Sequence, residues 1–367
     1  MQVKLLDLDA QYADIKGEIL AEIAKLMDTH QYVLGPQVAE LEEMMKEFNR
    51  CNYAIGCASG TDALVLALKA LDIGDGDEVI TTPFTFFATA GAIHRAGAKV
   101  VFADINADTF NLDPEKIPAV ITEKTKAIIV VHLFGQAAEM DKIMAVASEY
   151  NLKVIEDNAQ GIGAEYDGKV AGTIADIGTL SFFPSKNLGC MGDGGMCLTN
   201  DAELATRLKQ LRVHGESPKY FHKWVGLNSR LDSLQAAVLK VKLPLLDNWS
   251  RLRRENAEYY YENLNDIPQL KLPIIIPKAK SIFNQFTVQV DERAGLMNFL
   301  QENGVGCAIY YPQPLHLQEC FTYLGYKKGD FPVAEEITEK VLSIPVYPEL
   351  PREQQAYVVE KIKEFYR

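Results

Sequence analysis

The sequence lacks an excess of positive charge, a long apolar run and a secretion signal. Its formal net charge is -13, which argues against nucleic acid and anionic membranes as partners, because both are bound through basic patches. No apolar stretch approaches the length of a membrane span, and residues 1–16 contain no apolar signal segment. We therefore expect a cytoplasmic protein that binds neither nucleic acid nor membrane.

Paired cysteines and metal-ligand patterns are also missing. The six cysteines include no Cys-x-x-Cys pair, so in a chain of 367 residues they are typical of reduced thiols in the core or lining a site. The six histidines show no metal-ligand spacing, and we expect no metal site. A Walker phosphate loop and a dinucleotide glycine fingerprint are both absent.

The chain does contain a regular alternation of short apolar strands and helices. We predict strands at 78–82, 99–104, 127–132, 153–157 and 178–182, with helices at 62–71, 89–96 and 139–150 between several of them. Such strands indicate a mainly parallel sheet covered on both faces, which is an α/β fold. Ligands of these sheets bind at the carboxyl ends of the strands.

The C-terminal third predicts a second, smaller unit. Two long helices, 232–242 and 249–264, are separated by Pro244, and a strand (286–290), a helix (294–303), a strand (306–311) and a final helix (354–365) follow. We therefore predict a large domain at 1–244 and a small α+β domain at 245–367.

Lys186 is the most informative residue of the chain. It follows the predicted strand 178–182 and precedes the glycine-rich run 189–195, where the backbone is able to approach a ligand closely. A lone lysine is nearly always a solvated surface charge. The alternative is an amine that forms a Schiff base with pyridoxal 5'-phosphate (PLP), which needs an acid for the pyridine nitrogen, donors for the phosphate and apolar packing.

Candidates for each of these partners are present. Asp157 ends the predicted strand 153–157 and would keep a pyridine nitrogen protonated, although capping the next turn is an equally good use. Gln160 is a candidate for the ring hydroxyl. Phe86 is a candidate for stacking on the ring, although such aromatics are more often core.

A small-residue turn supplies candidates for the phosphate. Gly60 and Thr61 open a predicted helix directly after Ser59, and helix N-termini offer free N–H groups and a positive dipole end. A simple helix cap is the commoner use of this pattern. Ser181 and Ser185 are further hydroxyl candidates.

Four segments, 58–64, 156–160, 181–186 and 226–232, occur together and in a known order. They resemble the DegT/StrS family, which are nucleotide-sugar aminotransferases of the fold-type I (aspartate aminotransferase-like) PLP class. The resemblance runs over essentially the whole chain, from Gln-Tyr-Val-Leu-Gly-Pro at 31–36 to Tyr-Tyr-Pro at 310–312.

The resemblance implies a role for each residue. Lys186 forms the Schiff base and then shuttles protons, Asp157 pairs with the pyridine nitrogen, Gln160 pairs with the ring hydroxyl, and Phe86 stacks on the ring. The phosphate is held by Gly60, Thr61 and Ser181, together with Asn228 from the partner subunit of a homodimer with a shared active site. L-glutamate leaves its amine on the cofactor as pyridoxamine 5'-phosphate, and a nucleotide-linked keto-sugar then collects it.

The resemblance also bears on the sugar, through Arg230, Tyr310 and Tyr311 at the substrate. Relatives that aminate a uronic acid tend to have His-Tyr-Pro where this chain has Tyr-Tyr-Pro, which favours a neutral sugar, such as C-3 of a dTDP-3-oxo-6-deoxyhexose. Arg230 suits either a carboxylate or a pyrophosphate, so UDP-2-acetamido-3-oxo-glucuronate is the alternative substrate.

Two other classes of function stay open. A PLP-dependent lyase or desulfurase would use a mobile cysteine, for which Cys190 is the candidate, although it has no obvious activating partner. A non-catalytic regulatory protein on the same scaffold would tolerate loss of Lys186 and Asp157, and both are intact.

Overall fold

The computed structural model describes residues 1–367, and a seven-stranded sheet lies at its centre. Two three-stranded sheets complete the strands. The strands are β1 (Tyr53–Cys57), β2 (Glu78–Thr81), β3 (Lys99–Phe102), β4 (Thr125–Val131), β5 (Lys153–Asp157), β6 (Glu165–Tyr166), β7 (Lys169–Val170), β8 (Ile177–Ser181), β9 (Gly195–Thr199), β10 (Leu270–Lys271), β11 (Ala279–Lys280), β12 (Phe286–Val290) and β13 (Val341–Ile344).

Helices cover this sheet and continue into the C-terminal part. They are α1 (Leu8–Ala13), α2 (Lys16–Thr29), α3 (Pro36–Asn49), α4 (Gly60–Ala70), α5 (Ala88–Ala96), α6 (Met140–Glu149), α7 (Ala202–Leu211), α8 (Ser233–Lys242), α9 (Leu246–Leu264), α10 (Arg293–Glu302), α11 (Pro332–Lys340) and α12 (Arg352–Phe365). None of these helices combines the length and the apolar character needed to cross a membrane.

The large sheet has the strand order β1-β9-β8-β5-β4-β2-β3. Only β9 runs against its neighbours, while β8, β5, β4, β2 and β3 pair in parallel. This confirms the predicted α/β fold with a mainly parallel sheet. The register places Asp157 beside Val131 of β4 and Thr179 of β8, so the carboxyl ends of three strands meet at one edge.

The C-terminal sheet differs from the prediction in one strand. β12 pairs with β13, and the predicted strand 306–311 is wrong. Its backbone changes partner, because the Gly306 amide bonds to Val3 (2.8 Å) whereas Ala308 exchanges two hydrogen bonds with Ser343 (3.1 and 2.8 Å). No single neighbouring strand runs beside it, so no continuous ladder forms.

The helix pair around Pro244 follows the predicted outline, since α8 ends at Lys242 and a 3-10 turn at Leu243–Leu245 leads into α9. Packing crosses this point in both directions. Val3 belongs to the C-terminal apolar cluster, while Leu315 and Phe331 pack into the cluster on the large sheet. The domain limit at 244/245 stays a prediction.

Candidate active site

The segment that carries Lys186 is a tight turn after β8. The Lys186 amide donates to the Phe183 carbonyl (2.9 Å), and the Cys190 amide donates to the Phe182 carbonyl (2.8 Å), which closes the turn. A Cβ at Gly189 would lie 2.4 Å from the Pro184 carbonyl oxygen. The turn therefore needs glycine at this position, because any side chain would force the loop open.

The Lys186 side chain is half-buried. Burial lowers the pKa of its amine below the ordinary value, and the nearby Asp157 carboxylate acts in the opposite direction. Since a lower pKa increases the neutral fraction near pH 7, the amine is available to attack a carbonyl carbon.

Asp157 is a buried carboxylate with two hydrogen-bond donors. Its Oδ2 accepts from the Thr89 hydroxyl (2.8 Å), and its Oδ1 accepts from the Ala159 amide (3.2 Å). Burial raises the pKa of Asp157, whereas these hydrogen bonds and the positive charge of Lys186 lower it. Because burial keeps water away from this carboxylate, a positively charged ligand group placed next to it would be strongly stabilised.

The residue before Asp157 fixes this end of β5. Glu156 is fully buried and accepts hydrogen bonds from three backbone amides in the segment 172–175, at 2.7 to 2.8 Å. His132 lies 2.8 Å away through its Nε2, and its Nδ1 accepts from the Ala138 amide (3.2 Å). That second bond assigns the proton to Nε2, so His132 donates to Glu156. The pair braces the strand end that presents Asp157.

Gln160 joins two parts of the chain. Its Oε1 accepts from the Phe134 amide (2.9 Å), and its Nε2 donates to the Tyr311 hydroxyl (2.8 Å). The Tyr311 ring lies 6.1 Å from that of Phe84 and 6.3 Å from that of Phe86 between centroids. The C-terminal segment thereby contributes an aromatic wall to the edge of the large sheet.

Helix α4 begins at the same edge. The Ser59 hydroxyl accepts from the Asp62 amide (3.1 Å), which leaves the first amides of the helix, those of Gly60 and Thr61, without intrahelical acceptors. A Cβ at Gly60 would lie 2.6 Å from the Ser181 Cβ. The helix N-terminus therefore meets the end of β8, with the Ser181 hydroxyl beside it.

Asn228 and Arg230 lie in a groove that borders the start of α4. Both line a groove of about 520 Å³ that also contacts Ser59. Asn228 is exposed, and Arg230 forms no ion pair, although Asp193 and Asp232 line the same groove. The positive charge of Arg230 is therefore free to meet an anion from outside the chain.

Tyr310 and Phe86 border the site differently. Tyr310 is half-buried, which raises the pKa of its hydroxyl, and its ring lies 5.9 Å from that of Tyr311. Phe86 leaves 56% of its surface exposed, so one face of its ring is open. An open aromatic face at this edge suits a planar ligand.

Several contributors to the site were missed by the sequence analysis, namely Thr89, the Glu156–His132 pair and the Gln160–Tyr311 bond. Thr89 had a readable signal, because Thr85 and Thr89 are spaced one helical turn apart around Phe86. The Glu156–His132 pair and the Gln160–Tyr311 bond join segments that are distant in the sequence, and no local spacing pattern predicts such contacts.

The arrangement fits PLP. A half-buried lysine amine, a buried carboxylate and a helix N-terminus lie at one edge of a mainly parallel sheet. Gly60 has no side chain, so its backbone lies close to Ser181 at this edge. Fold and site together define a fold-type I PLP-dependent transferase.

The chain belongs to the DegT/DnrJ/EryC1/StrS aminotransferase family, whose family model matches residues 13–363. The protein is thus an aminotransferase of this family.

Curated relatives match over nearly their full lengths. A "Pleiotropic regulatory protein" of Geobacillus stearothermophilus is 50% identical, with 100% of this chain and 99% of the relative covered. A UDP-N-acetyl-3-dehydro-alpha-D-glucosamine 3-aminotransferase of Acidithiobacillus ferrooxidans is 45% identical (98% and 97% covered), and a UDP-2-acetamido-2-deoxy-3-oxo-D-glucuronate aminotransferase of Pseudomonas aeruginosa is 44% identical (95% and 96%). A dTDP-3-amino-3,6-dideoxy-alpha-D-galactopyranose transaminase of Aneurinibacillus thermoaerophilus is 41% identical (99% and 99%).

A solved structure agrees with the fold. The crystal structure of DesV from S. venezuelae, in complex with a ketimine intermediate, superposes with a TM-score of 0.98 at 38% identity, covering 100% of this chain and 99% of that one.

Proposed function

We propose that the protein transfers an amino group from L-glutamate to the C-3 keto carbon of a nucleotide-linked hexose, using PLP. The observation that carries this proposal is the half-buried Lys186 amine near the buried Asp157 carboxylate, at the edge of the sheet where α4 begins. The relatives named for sugar 3-aminotransferase reactions support the substrate class.

The residues divide the work of holding the cofactor. The amides of Gly60 and Thr61 and the Ser181 hydroxyl would take the phosphate, while Asp157 would pair with the pyridine nitrogen and Gln160 with the ring hydroxyl. Gln160 has one N–H left for this purpose, because the other donates to Tyr311. When bound, PLP supplies an electron sink for charge that develops on the substrate carbon.

Lys186 would be the proton carrier. Its Nζ would hold the cofactor through the aldehyde carbon and, once free, would take a proton from the substrate carbon next to the nitrogen. The lowered pKa of this amine suits a base that works near neutral pH.

The identity of the sugar rests on the rim of the site. Tyr310 stands where uronate-specific relatives tend to have histidine, which favours a neutral sugar such as a dTDP-3-oxo-6-deoxyhexose. Arg230, unpaired in its groove, is a partner for a pyrophosphate or, in the alternative substrate, for the carboxylate of UDP-2-acetamido-3-oxo-glucuronate. Relatives named for each of these substrate types match the chain at similar identity.

A homodimer with a shared site completes the proposal. Two exposed apolar side chains lie at this groove: Val33 (54% exposed) lines it, and Met191 (55%) neighbours Gln235, which also lines it. Their segments are tied together, since the Ser233 amide bonds to the Tyr32 carbonyl (3.0 Å) and the Gln235 side chain bonds to Met191 (2.8 and 3.2 Å). An apolar patch of this kind suits a second copy of the chain, which would place Asn228 at the phosphate of the partner. The cytoplasm is the proposed location.

The environment of Cys190 argues against the desulfurase alternative. Its thiol is buried, lies 3.0 Å from the Phe182 carbonyl oxygen and 3.1 Å from that of Gly192, and has a pKa raised to about 11 by burial. A thiol that is protonated and enclosed is a poor nucleophile.

The test is a substrate panel with the purified enzyme, PLP and L-glutamate. Amino transfer to a dTDP-3-oxo-6-deoxyhexose, measured by formation of the 3-amino sugar, supports the main proposal. Transfer confined to UDP-2-acetamido-3-oxo-glucuronate replaces the sugar but keeps the reaction class. Release of sulfide from cysteine, without any transfer to a sugar, contradicts the proposal.

A further inference from the structure

Two threonine hydroxyls form a chain that ends on Asp157. Thr89 Oγ1 lies 2.8 Å from Asp157 Oδ2, and Thr85 Oγ1 lies 3.2 Å from Thr89 Oγ1. Because an ionised carboxylate only accepts, Thr89 donates to Asp157 and then accepts from Thr85. The ionised state of Asp157 therefore sets the direction of both hydrogen bonds.

The two threonines and Asp157 are enclosed by protein. Thr85 and Thr89 are 2% and 0% exposed, and Asp157 is 5% exposed. The Ala159 amide is the other donor to the carboxylate, at the longer distance of 3.2 Å. Two hydrogen bonds therefore stabilise the negative charge of Asp157, which burial disfavours, and the one from Thr89 is the shorter.

We propose that Thr89, held in place by Thr85, is a positioning residue that keeps Asp157 ionised and oriented for the pyridine nitrogen of PLP. This inference rests on the proposed function, in which Asp157 pairs with that nitrogen. Phe86, the proposed stacking residue, lies between the two threonines, so one short segment sets both the ring face and the acid.

Three variants separate this role from a packing role. Thr89→Val removes the hydroxyl and keeps the shape, whereas Thr89→Ser keeps the hydroxyl. Thr81→Val is the matched control, because Thr81 is equally buried but its hydroxyl donates to the Ile129 carbonyl (2.9 Å) and not to a carboxylate.

The first measurement is the titration of the Asp157 carboxyl carbon by NMR in the cofactor-free protein. Loss of a donor to the charged form raises a carboxyl pKa, so we expect the midpoint in Thr89→Val to move upward by about one pH unit, a tenfold change in ionisation. Thr89→Ser and Thr81→Val should titrate like the unchanged protein. An unmoved midpoint in Thr89→Val overturns the proposal.

The second measurement is the dissociation constant of pyridoxamine 5'-phosphate from about pH 5 to about pH 9, which requires no turnover. In Thr89→Val the loss of affinity on the acid side should begin at a higher pH, because Asp157 is protonated earlier. Weakening that is equal at every pH, or equal to that in Thr81→Val, indicates packing alone and overturns the proposal.

The two measurements also separate this inference from the proposed function. A shifted Asp157 titration in a protein that never binds pyridoxamine 5'-phosphate leaves the hydroxyl chain standing and refutes both the proposed function and the role toward PLP. Binding that is identical in Thr89→Val and the unchanged protein refutes the positioning role alone.

Discussion

The floor of the site and its rim are built differently. We define the floor as Thr89, Asp157, Gln160, Ser181 and Lys186, and the rim as Phe86, Asn228, Arg230 and Tyr310. In the floor, Asp157, Thr89 and Gln160 are buried and hydrogen-bonded to other parts of the same chain. Rim side chains are half-buried or exposed, and Arg230 has no ionic partner.

The segment that leads to Asn228 shows the same contrast. Tyr220, Phe221 and Val225 are 78%, 69% and 88% exposed, which is unusual for large apolar side chains clustered in one stretch. Exposure of this kind marks a surface that meets another molecule. The difference teaches that the groups proposed for the cofactor ring are fixed by hydrogen bonds within the chain, whereas the rim leaves groups unpaired for a ligand or another molecule.

A preorganised floor is the expected design for a group that stabilises charge during the reaction. Hydrogen-bond donors that are already aligned need no reorganisation when charge develops. A rim with unpaired groups suits the opposite task, because a variable sugar nucleotide needs partners that are not already satisfied within the protein.

The largest expected effect comes from breaking the floor. Lys186→Ala should lower turnover on the order of 10,000-fold, because the proposed function assigns both the bond to the cofactor and the proton transfers to this amine. Lys328→Ala is the control, since Lys328 is exposed and forms no ion pair. The measurement is the rate of 3-amino sugar formation, with circular dichroism to verify folding. Turnover retained in a folded Lys186→Ala protein refutes the role of this residue.

A mixed-dimer experiment sharpens the comparison between floor and rim. If Asn228 serves the site of the partner, a dimer of one Lys186→Ala chain and one Asn228→Ala chain contains one site with both residues intact. Mixing equal amounts of the two variants under exchange conditions should therefore raise activity above the average of the two separate variants, toward about a quarter of the unchanged rate, because half of the dimers are mixed and each of these has one of its two sites intact. If the mixture has only the average activity of the two separate variants, Asn228 acts within its own chain or not at all.

The smallest expected effect lies just behind the floor. Cys190→Ser keeps a small polar atom in contact with the same two carbonyls, so turnover should change by less than about threefold and stability by about 1 kcal/mol. The rate of 3-amino sugar formation and the thermal unfolding midpoint check this. Loss of all activity in a folded Cys190→Ser protein would favour a mechanism that uses the Cys190 thiol, as in the desulfurase alternative.

The sequence analysis selected some of the residues that the structure brings to this edge, because they stand at strand ends and glycine-rich turns, whereas Thr89 of the floor was missed. Lys186, Asp157 and Gly60 each stand directly after or before such an element, and the parallel sheet brings those ends together. The strand β9 was missed because it directly follows the glycine-rich run. The strand at 306–311 was wrongly predicted because its apolar pattern is typical of a strand, whereas its backbone hydrogen-bonds first to Val3 and then to Ser343.

Other features had no local signature. The bond between Gln160 and Tyr311 joins residues 151 positions apart, and the groove at Arg230 depends on how the segment 228–235 folds back on Ser59. Sequence patterns report periodicity and turn chemistry, whereas contacts of this kind follow from tertiary packing.

The most direct test of the central claim is the visible absorption spectrum of the purified protein, before and after L-glutamate is added. The predicted result is a yellow band that bleaches with glutamate and is absent in Lys186→Ala. Such a band requires PLP bound to this lysine, and its bleaching requires transfer of the amine from glutamate to the cofactor. A protein that stays colourless even after PLP is added would contradict the assignment of Lys186 and the account built on it.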